Sequence, residues 1–209
     1  AVKYCSENSM FNGKIDYFVS DIFSVFKRNK KFRGIKFDTI IFNPPYLPAN
    51  GKKDDVSVVG GRKGYEVLER FLDEVNDFLS PDGIVLIVFS SLTNKAKVDE
   101  IIARNLLDRK LLYSTALFYE TLYVYLLKKN QLAGKLCVLG VKGLRFLAKG
   151  RRKIVYSGFY RGKKIAVKAV LPGKKSESVK LEAGFLKILC RYKFVPKLLH
   201  STPEFLIAE

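Results

Sequence analysis

The 209-residue chain has no tryptophan, one methionine, one histidine (His200) and one glutamine (Gln131). A lone histidine in "LLHSTPE", with no cysteine or carboxylate cluster beside it, makes a poor metal ligand or general base. The three cysteines, Cys5, Cys137 and Cys190, are far apart and odd in number. That pattern builds neither a disulfide framework nor a zinc site, and it suits a reducing cytoplasm. No apolar run reaches the roughly 18 residues of a membrane span, and no secretory pattern opens the chain. The expectation is a cytoplasmic protein with no membrane partner.

What is present is a core and a charge gradient. Nearly half the residues are apolar (48%) and the net charge is +18. Residues 1–130 hold 20 basic and 16 acidic side chains, whereas residues 131–209 hold 18 and 4. Such a shift divides the chain into two units, 1–130 and 131–209, of which the second would attract phosphate groups, RNA or an acidic protein. In the first, residues 15–20 (IDYFVS) and 37–42 (FDTIIF) read as strands, the latter apolar enough to be buried on both faces. Residues 64–79 carry apolar positions at helical spacing, and "SPDG" reads as the turn that ends that helix. A strand over 84–89, a helix over about 95–107 and strands over 111–117 and 122–127 follow. This alternation predicts an open, mainly parallel α/β sheet. From Leu132 short strands at turn spacing predict an antiparallel sheet with one helix over 176–191, opened by a capping serine. "AVKYCSENS" reads as a helix already in progress and "EFLIAE" as a strand without a tail, so the expectation is a fragment.

The stretch "FNPPYLP" (42–48) lies where the second predicted strand ends. Ligands of open α/β sheets bind beyond the carboxyl ends of strands. Pro44 and Pro45 lack N–H groups and have fixed φ, which stiffens the loop. An Asn43 amide oxygen beside a fixed backbone carbonyl offers two acceptors, whose complement is an –NH₂ group. Two acceptors gripping a planar nitrogen help to free its lone pair for attack, and Tyr46 offers a face on which the planar group could stack. The arrangement suits group transfer to an amide or exocyclic amine without a general base.

"DTIIFNPPYLP", with "VGGRKGYEVLERFLDEVNDFLSPDGIVLIVFSS" and "ALFYETLYVYLL", resembles the HemK family of S-adenosylmethionine-dependent glutamine methyltransferases, in its archaeal and eukaryotic branch. The resemblance implies a class I, Rossmann-like α/β sheet over residues 1–130, truncated before its first strands and its glycine-rich donor loop. It implies that Asn43, Pro44, Pro45 and Tyr46 are catalytic, with Asn43 also bordering S-adenosylmethionine. Asp21 would meet the donor's adenine amino group, with Ile22 beside the ring, and Gly60 and Gly61 would form a glycine pair near the substrate. The implied substrate is a translation release factor or another translation protein, with a small activating subunit as a further partner.

"LAKGRRKIVYSGFYRGKKIAVKAVL" and "SVKLEAGFLKIL" resemble the first lobe of a protein kinase of the archaeal RIO/Bud32-like group. The resemblance implies a small α+β domain over 131–209 with ATP as ligand: Gly150 in the loop, Val155 over the adenine, and Lys168 reaching the phosphates while paired with Glu182. Ala148 and Lys153 stand where that group has loop glycines. Two alternatives accompany this reading: adenine in DNA or RNA as the methyl acceptor, since the same tetrapeptide serves there, and a non-catalytic basic module that binds RNA or protein.

Overall fold

Three phenylalanines organise the first stretch of chain. Phe18, Phe26 and Phe32 meet edge to face with centroids 5.2, 5.2 and 6.2 Å apart, the geometry that the ring quadrupole favours. The structure, a computed structural model, describes residues 2–7, 14–51 and 55–209. They gather into two compact units, Ala1–Lys36 and Phe37–Glu209. In the first, α1 (Val2–Glu7) lies within the stretch read as a helix in progress, of which Ala1, Asn8 and Ser9 fall outside the described residues. Helix α2 (Ser24–Arg28) carries Phe26, and a 3-10 turn (Lys30–Phe32) carries Phe32. The strand expected over 15–20 does not form. No described strand pairs with it, and an unpaired strand leaves its N–H and C=O groups to water.

The second unit begins with a four-stranded sheet. Its elements are β1 (Phe37–Phe42), α3 (Glu66–Val75), β2 (Leu79–Ser90), α4 (Lys95–Arg104), β3 (Leu107–Ala116) and β4 (Thr121–Lys129). The strand order is β1-β2-β4-β3. Only the β1–β2 pair is parallel; β2–β4 and β3–β4 are antiparallel. The mainly parallel sheet expected from the sequence is therefore mixed. Residues 117–120 are too few for a crossover, so β4 must run back against β3, and it does so by inserting beside β2. Val85, Ile87 and Phe89 of β2 are fully buried, as are Leu68, Leu72 and Val75 of α3 and Val98, Ile101 and Ile102 of α4.

Two local expectations change here. β1 lies at the edge of the sheet rather than buried on both faces: Asp38 and Thr39 are exposed and Ile41 is 73% exposed. The helix read over 64–79 closes at Val75, and "SPDG" lies within β2. There the pairing jumps from Phe37↔Leu79 to Thr39↔Ile84, so residues 80–83 bulge out of the ladder. The turn chemistry was real, but its role is a bulge in the strand rather than the end of the helix.

The remaining elements are α5 (Gln131–Val138), β5 (Lys142–Lys149), β6 (Lys153–Tyr160), β7 (Lys163–Val170), α6 (Glu177–Ile188), β8 (Leu198–Ser201) and β9 (Phe205–Ala208). The strands form one antiparallel sheet in the order β5-β6-β7-β9-β8. Side-chain alternation gives the sheet two faces. Ile154, Tyr156, Ile165, Val167, Phe205 and Ile207 pack on one side with Ala133 and Leu136 of α5. Leu206 and Ala208 pack on the other with Val179 and Ala183 of α6. Asn130 caps α5 by accepting from the Ala133 N–H at 2.9 Å. Ser176 occupies the N-cap position of α6, but its side chain makes no capping bond, contrary to expectation. His200 lies on β8, with its ring stacked on Phe205.

Arg104 at the end of α4 ties the two sheets together. Its guanidinium sits 2.8 Å from Glu69 and 3.1 Å from Asp73 of α3, and 5.5 Å from the Phe146 ring on β5. Beside it, Arg145 of β5 pairs with Asp77 at 2.5 Å. Removing the arginine leaves Glu69 and Asp73 without their shared cation, Asp73 keeping only the Asn105 amide at 2.9 Å. We expect Arg104→Ala to lower stability by about 2 kcal/mol, less than a fully buried pair would lose, read as a fall in the urea midpoint.

Candidate functional site

Two prolines in succession leave the corner at Asn43 without the N–H donors that would normally anchor a loop, so its shape must be held from outside. Four hydrogen bonds hold it. The Thr93 hydroxyl, fully buried, donates to the Tyr46 carbonyl at 2.8 Å. The Leu47 N–H donates to Val58 O, and the Gly60 N–H donates to Leu47 O, each at 2.9 Å. The Ala49 N–H donates to Gly61 O at 2.9 Å. Residues 58–64 therefore lie against residues 45–49.

Glycine is required for that approach. A Cβ on Gly60 would sit 2.3 Å from both Pro45 O and Gly64 O, and one on Gly64 would sit 2.5 Å from Tyr46 O. Gly61 and Gly64 also have φ of +122° and +85°, which side chains rarely adopt. The expected pair Gly60 and Gly61 thus packs directly on the proline corner, and Gly64 is a third member that the sequence reading missed.

With the backbone fixed, Pro44 is buried and Asn43 is exposed at the carboxyl end of β1. Among the described residues, no hydrogen bond engages the Asn43 side chain, and no backbone N–H donates to Pro44 O outside regular elements. Two acceptors stand beside each other in sequence, unspent. Tyr46 is partly buried; that burial, and secondarily the negative charge of Glu120, pushes its phenol above the usual range, so it stays neutral. Glu120, in the turn before β4, has a buried carboxylate oxygen without a partner. The sequence reading passed over it, along with Thr93. Nothing in the local pattern marks either, because each meets Tyr46 only through the fold.

Asp21 and Ile22 belong to the unit Ala1–Lys36, and Asn43–Tyr46 to the unit Phe37–Glu209. Asp21 is exposed; its carbonyl accepts from the Ser24 N–H at 2.9 Å. Ile22 has φ +49°, a costly conformation for a β-branched residue. Ser20 holds it there: its hydroxyl donates to Ile22 O at 2.9 Å and accepts from the Val25 N–H at 3.0 Å. Strain of this kind persists where the surroundings over-determine it, and it often accompanies a binding loop.

The second group of residues meets on the α6 face of the five-stranded sheet. Val155 and Lys168 are direct cross-strand partners. Lys168 Nζ reaches Glu182 Oε1 on α6 at 2.5 Å, and Lys153 Nζ contacts Glu182 Oε2. Burial raises the Glu182 pKa, but the hydrogen bonds and charges of the two lysines outweigh it, leaving the carboxyl below its ordinary value. Gly150 lies in the β5–β6 turn, its N–H donating to Lys153 O at 2.8 Å. The structure thus brings Val155, Lys168 and Glu182 together, with Lys153 as an added member. No group of three or more His, Cys, Asp or Glu residues able to hold a metal occurs among the described residues.

Two outcomes test these geometries. Gly64→Ala should cost about 2 kcal/mol from backbone strain and crowding of the Tyr46 carbonyl, visible as a lowered melting temperature and faster proteolysis near residues 45–64. Glu182, depressed in the folded state, stabilises the fold above its unfolded pKa of ~4.3, and that contribution is lost as pH falls through the folded value. The stability gap between wild type and Glu182→Gln should therefore be full at neutral pH and close in acid, as read from pH-dependent denaturant midpoints.

No family model matches the chain. Curated relatives do. A putative protein N5-glutamine methyltransferase of Methanocaldococcus jannaschii is 40% identical over 101 residues, covering 46% of this chain and 48% of the relative. The release factor glutamine methyltransferase of Aquifex aeolicus is 33% identical over 96 residues, 41% of this chain and 32% of the relative. The Homo sapiens methyltransferase HEMK2 is 31% identical over 100 residues, 46% and 47% of the two chains. Among solved structures, the E. cuniculi Mtq2–Trm112 complex, responsible for methylation of the eRF1 translation termination factor, matches with a TM-score of 0.43 and 24% identity over 54% of this chain and 60% of that one. The chain spans about half the length, or less, of the curated relatives it matches. Over a little under half of its own length it is similar to methyltransferases, two of the three named for glutamine.

Proposed function

We propose that this chain is part of an S-adenosylmethionine-dependent methyltransferase that modifies a planar nitrogen, the glutamine side chain of a translation release factor. The observation that carries the reading is the unspent pair of acceptors, Asn43 Oδ1 and Pro44 O, on a corner too stiff to fold back on itself. Similarity to glutamine methyltransferases supports it. The two acceptors take the two N–H groups of the target amide and draw its nitrogen out of conjugation. Tyr46, neutral and pinned through its carbonyl, lies along the plane of the amide. Asp21 receives the adenine amino group of the donor, and the strained turn at Ile22 borders the adenine ring. When bound, the donor would supply an electrophilic methyl group. The N–C bond would form as the sulfonium S–C bond breaks, its electron pair staying on sulfur as a neutral thioether, and the nitrogen would give up one proton to solvent. A small activating subunit and a cytoplasmic setting belong to the same proposal.

Adenine in DNA or RNA is the rival acceptor, because its exocyclic amine presents the same pair of N–H groups. The excess of positive charge lies in residues 131–209 rather than around the proline corner, which favours the protein substrate. In the full chain, Asn43→Ala should lower methylation of a release-factor peptide by about 100-fold or more without changing stability. Methylation at the wild-type rate would overturn the mechanism, and transfer to an oligonucleotide in preference to the peptide would overturn the substrate.

For residues 131–209 the proposal is a kinase-like lobe that binds a nucleotide. It is supported by the five-stranded antiparallel sheet with α6 on one face and by the Lys168–Glu182 pair across from Val155. RNA binding by this basic part is the competing reading.

A further inference from the structure

Glu182 is shared. One of its carboxylate oxygens takes the Lys168 ammonium and the other takes the Lys153 ammonium. Two cations on one anion leave the cluster with a net charge of +1, in a place where all three side chains are only 22% to 35% exposed. Each ammonium has three N–H donors and spends one on Glu182. The remaining donors are free to take an acceptor-rich anion.

The adjoining turn adds to this. Residues 149–153 read Lys-Gly-Arg-Arg-Lys, four cations without an acid. Gly150 in that turn has no positive φ, and a Cβ there would make only an ordinary contact, 3.5 Å from Lys153 O. Neither backbone conformation nor packing within the chain demands glycine at 150. A bare backbone at 150 would leave room for a ligand beside Lys153.

We propose that Lys153 is a second phosphate-binding residue, and that Lys153 and Lys168 together clasp the polyphosphate of a nucleoside di- or triphosphate while Glu182 holds the two ammonium groups apart. The inference rests on the nucleotide reading of residues 131–209 and deepens it. A loop with several glycines binds phosphate through backbone N–H groups; here two side-chain cations on neighbouring strands take over that task. Lys153 on β6 and Lys168 on β7 reach the same carboxylate on α6, so the spacing of the cations is set by three elements rather than by a flexible loop.

The test is calorimetric titration and thermal shift of the full chain with ADP, tripolyphosphate and adenosine, at two salt concentrations. Wild type should bind ADP and tripolyphosphate and be stabilised by both, with adenosine much weaker. Lys153→Ala and Lys168→Ala should each weaken ADP binding about tenfold, equivalent to ~1.4 kcal/mol. Lys153→Arg should restore most of the affinity, and Lys142→Ala, an exposed lysine on β5, should change nothing. The melting temperature of each variant without ligand shows whether it folds. If Lys168→Ala loses ADP and a folded Lys153→Ala binds as wild type does, the role of Lys153 is overturned and the nucleotide reading stands. If wild type binds none of the phosphates, both fall. Equal losses in Lys142→Ala, or a preference for an RNA oligomer over ADP, would indicate a diffuse basic surface and also overturn the site.

Discussion

The hydrogen bond from the buried Thr93 hydroxyl to the Tyr46 carbonyl is the contact on which the candidate site depends. A chain segment containing Pro44 and Pro45 cannot tether itself, since it has lost two donors and most of its φ freedom. Thr93 supplies the tether from the turn that follows β2, the most buried strand of its sheet. The position of the corner is thereby linked to the core packing of Val85, Ile87 and Phe89. Gly60 and Gly64 then let a second stretch of backbone close over the corner at distances that no side chain would permit. Rigidity here comes from the combination: prolines restrict the loop, threonine anchors it, and glycines let it be covered.

Much of this was legible from local pattern. The end of β1 at Phe42, the acceptors at Asn43 and Pro44, the strands β2 to β4 and the switch to an antiparallel sheet follow from periodicity and turn chemistry. What stayed hidden depends on neighbours distant in sequence. Thr93 lies 47 positions from Tyr46, and nothing in "SSLTN" announces which carbonyl it will meet. The run "DTIIF" reads as doubly buried because its residues are apolar, but burial is decided by what packs on each face, and among the described residues the face carrying Thr39 and Ile41 stays exposed. The residues "IDYFVS" have the composition of a strand but, among the described residues, no strand beside them. "SPDG" carries the signals of a helix-ending turn, and those same signals serve a bulge.

In the basic half the balance is different. Lys168 and Glu182 were legible as a pair, whereas Lys153 looked like an intrusion into a glycine loop. The register Val155↔Lys168 places Lys153 on the same face as Lys168, so one glutamate can serve both. Sharing a carboxylate offsets the cost of bringing two ammonium groups together in a partly buried place.

The proline corner also affects β1 itself. β1 is six residues long, and any strand that pairs along it needs backbone N–H donors in register. Pro44 and Pro45 lack the N–H that such a ladder needs. The ladder must therefore stop at the end of β1. The residues that shape the corner thus also end the sheet before its hydrogen bonds reach the acceptors of Asn43 and Pro44.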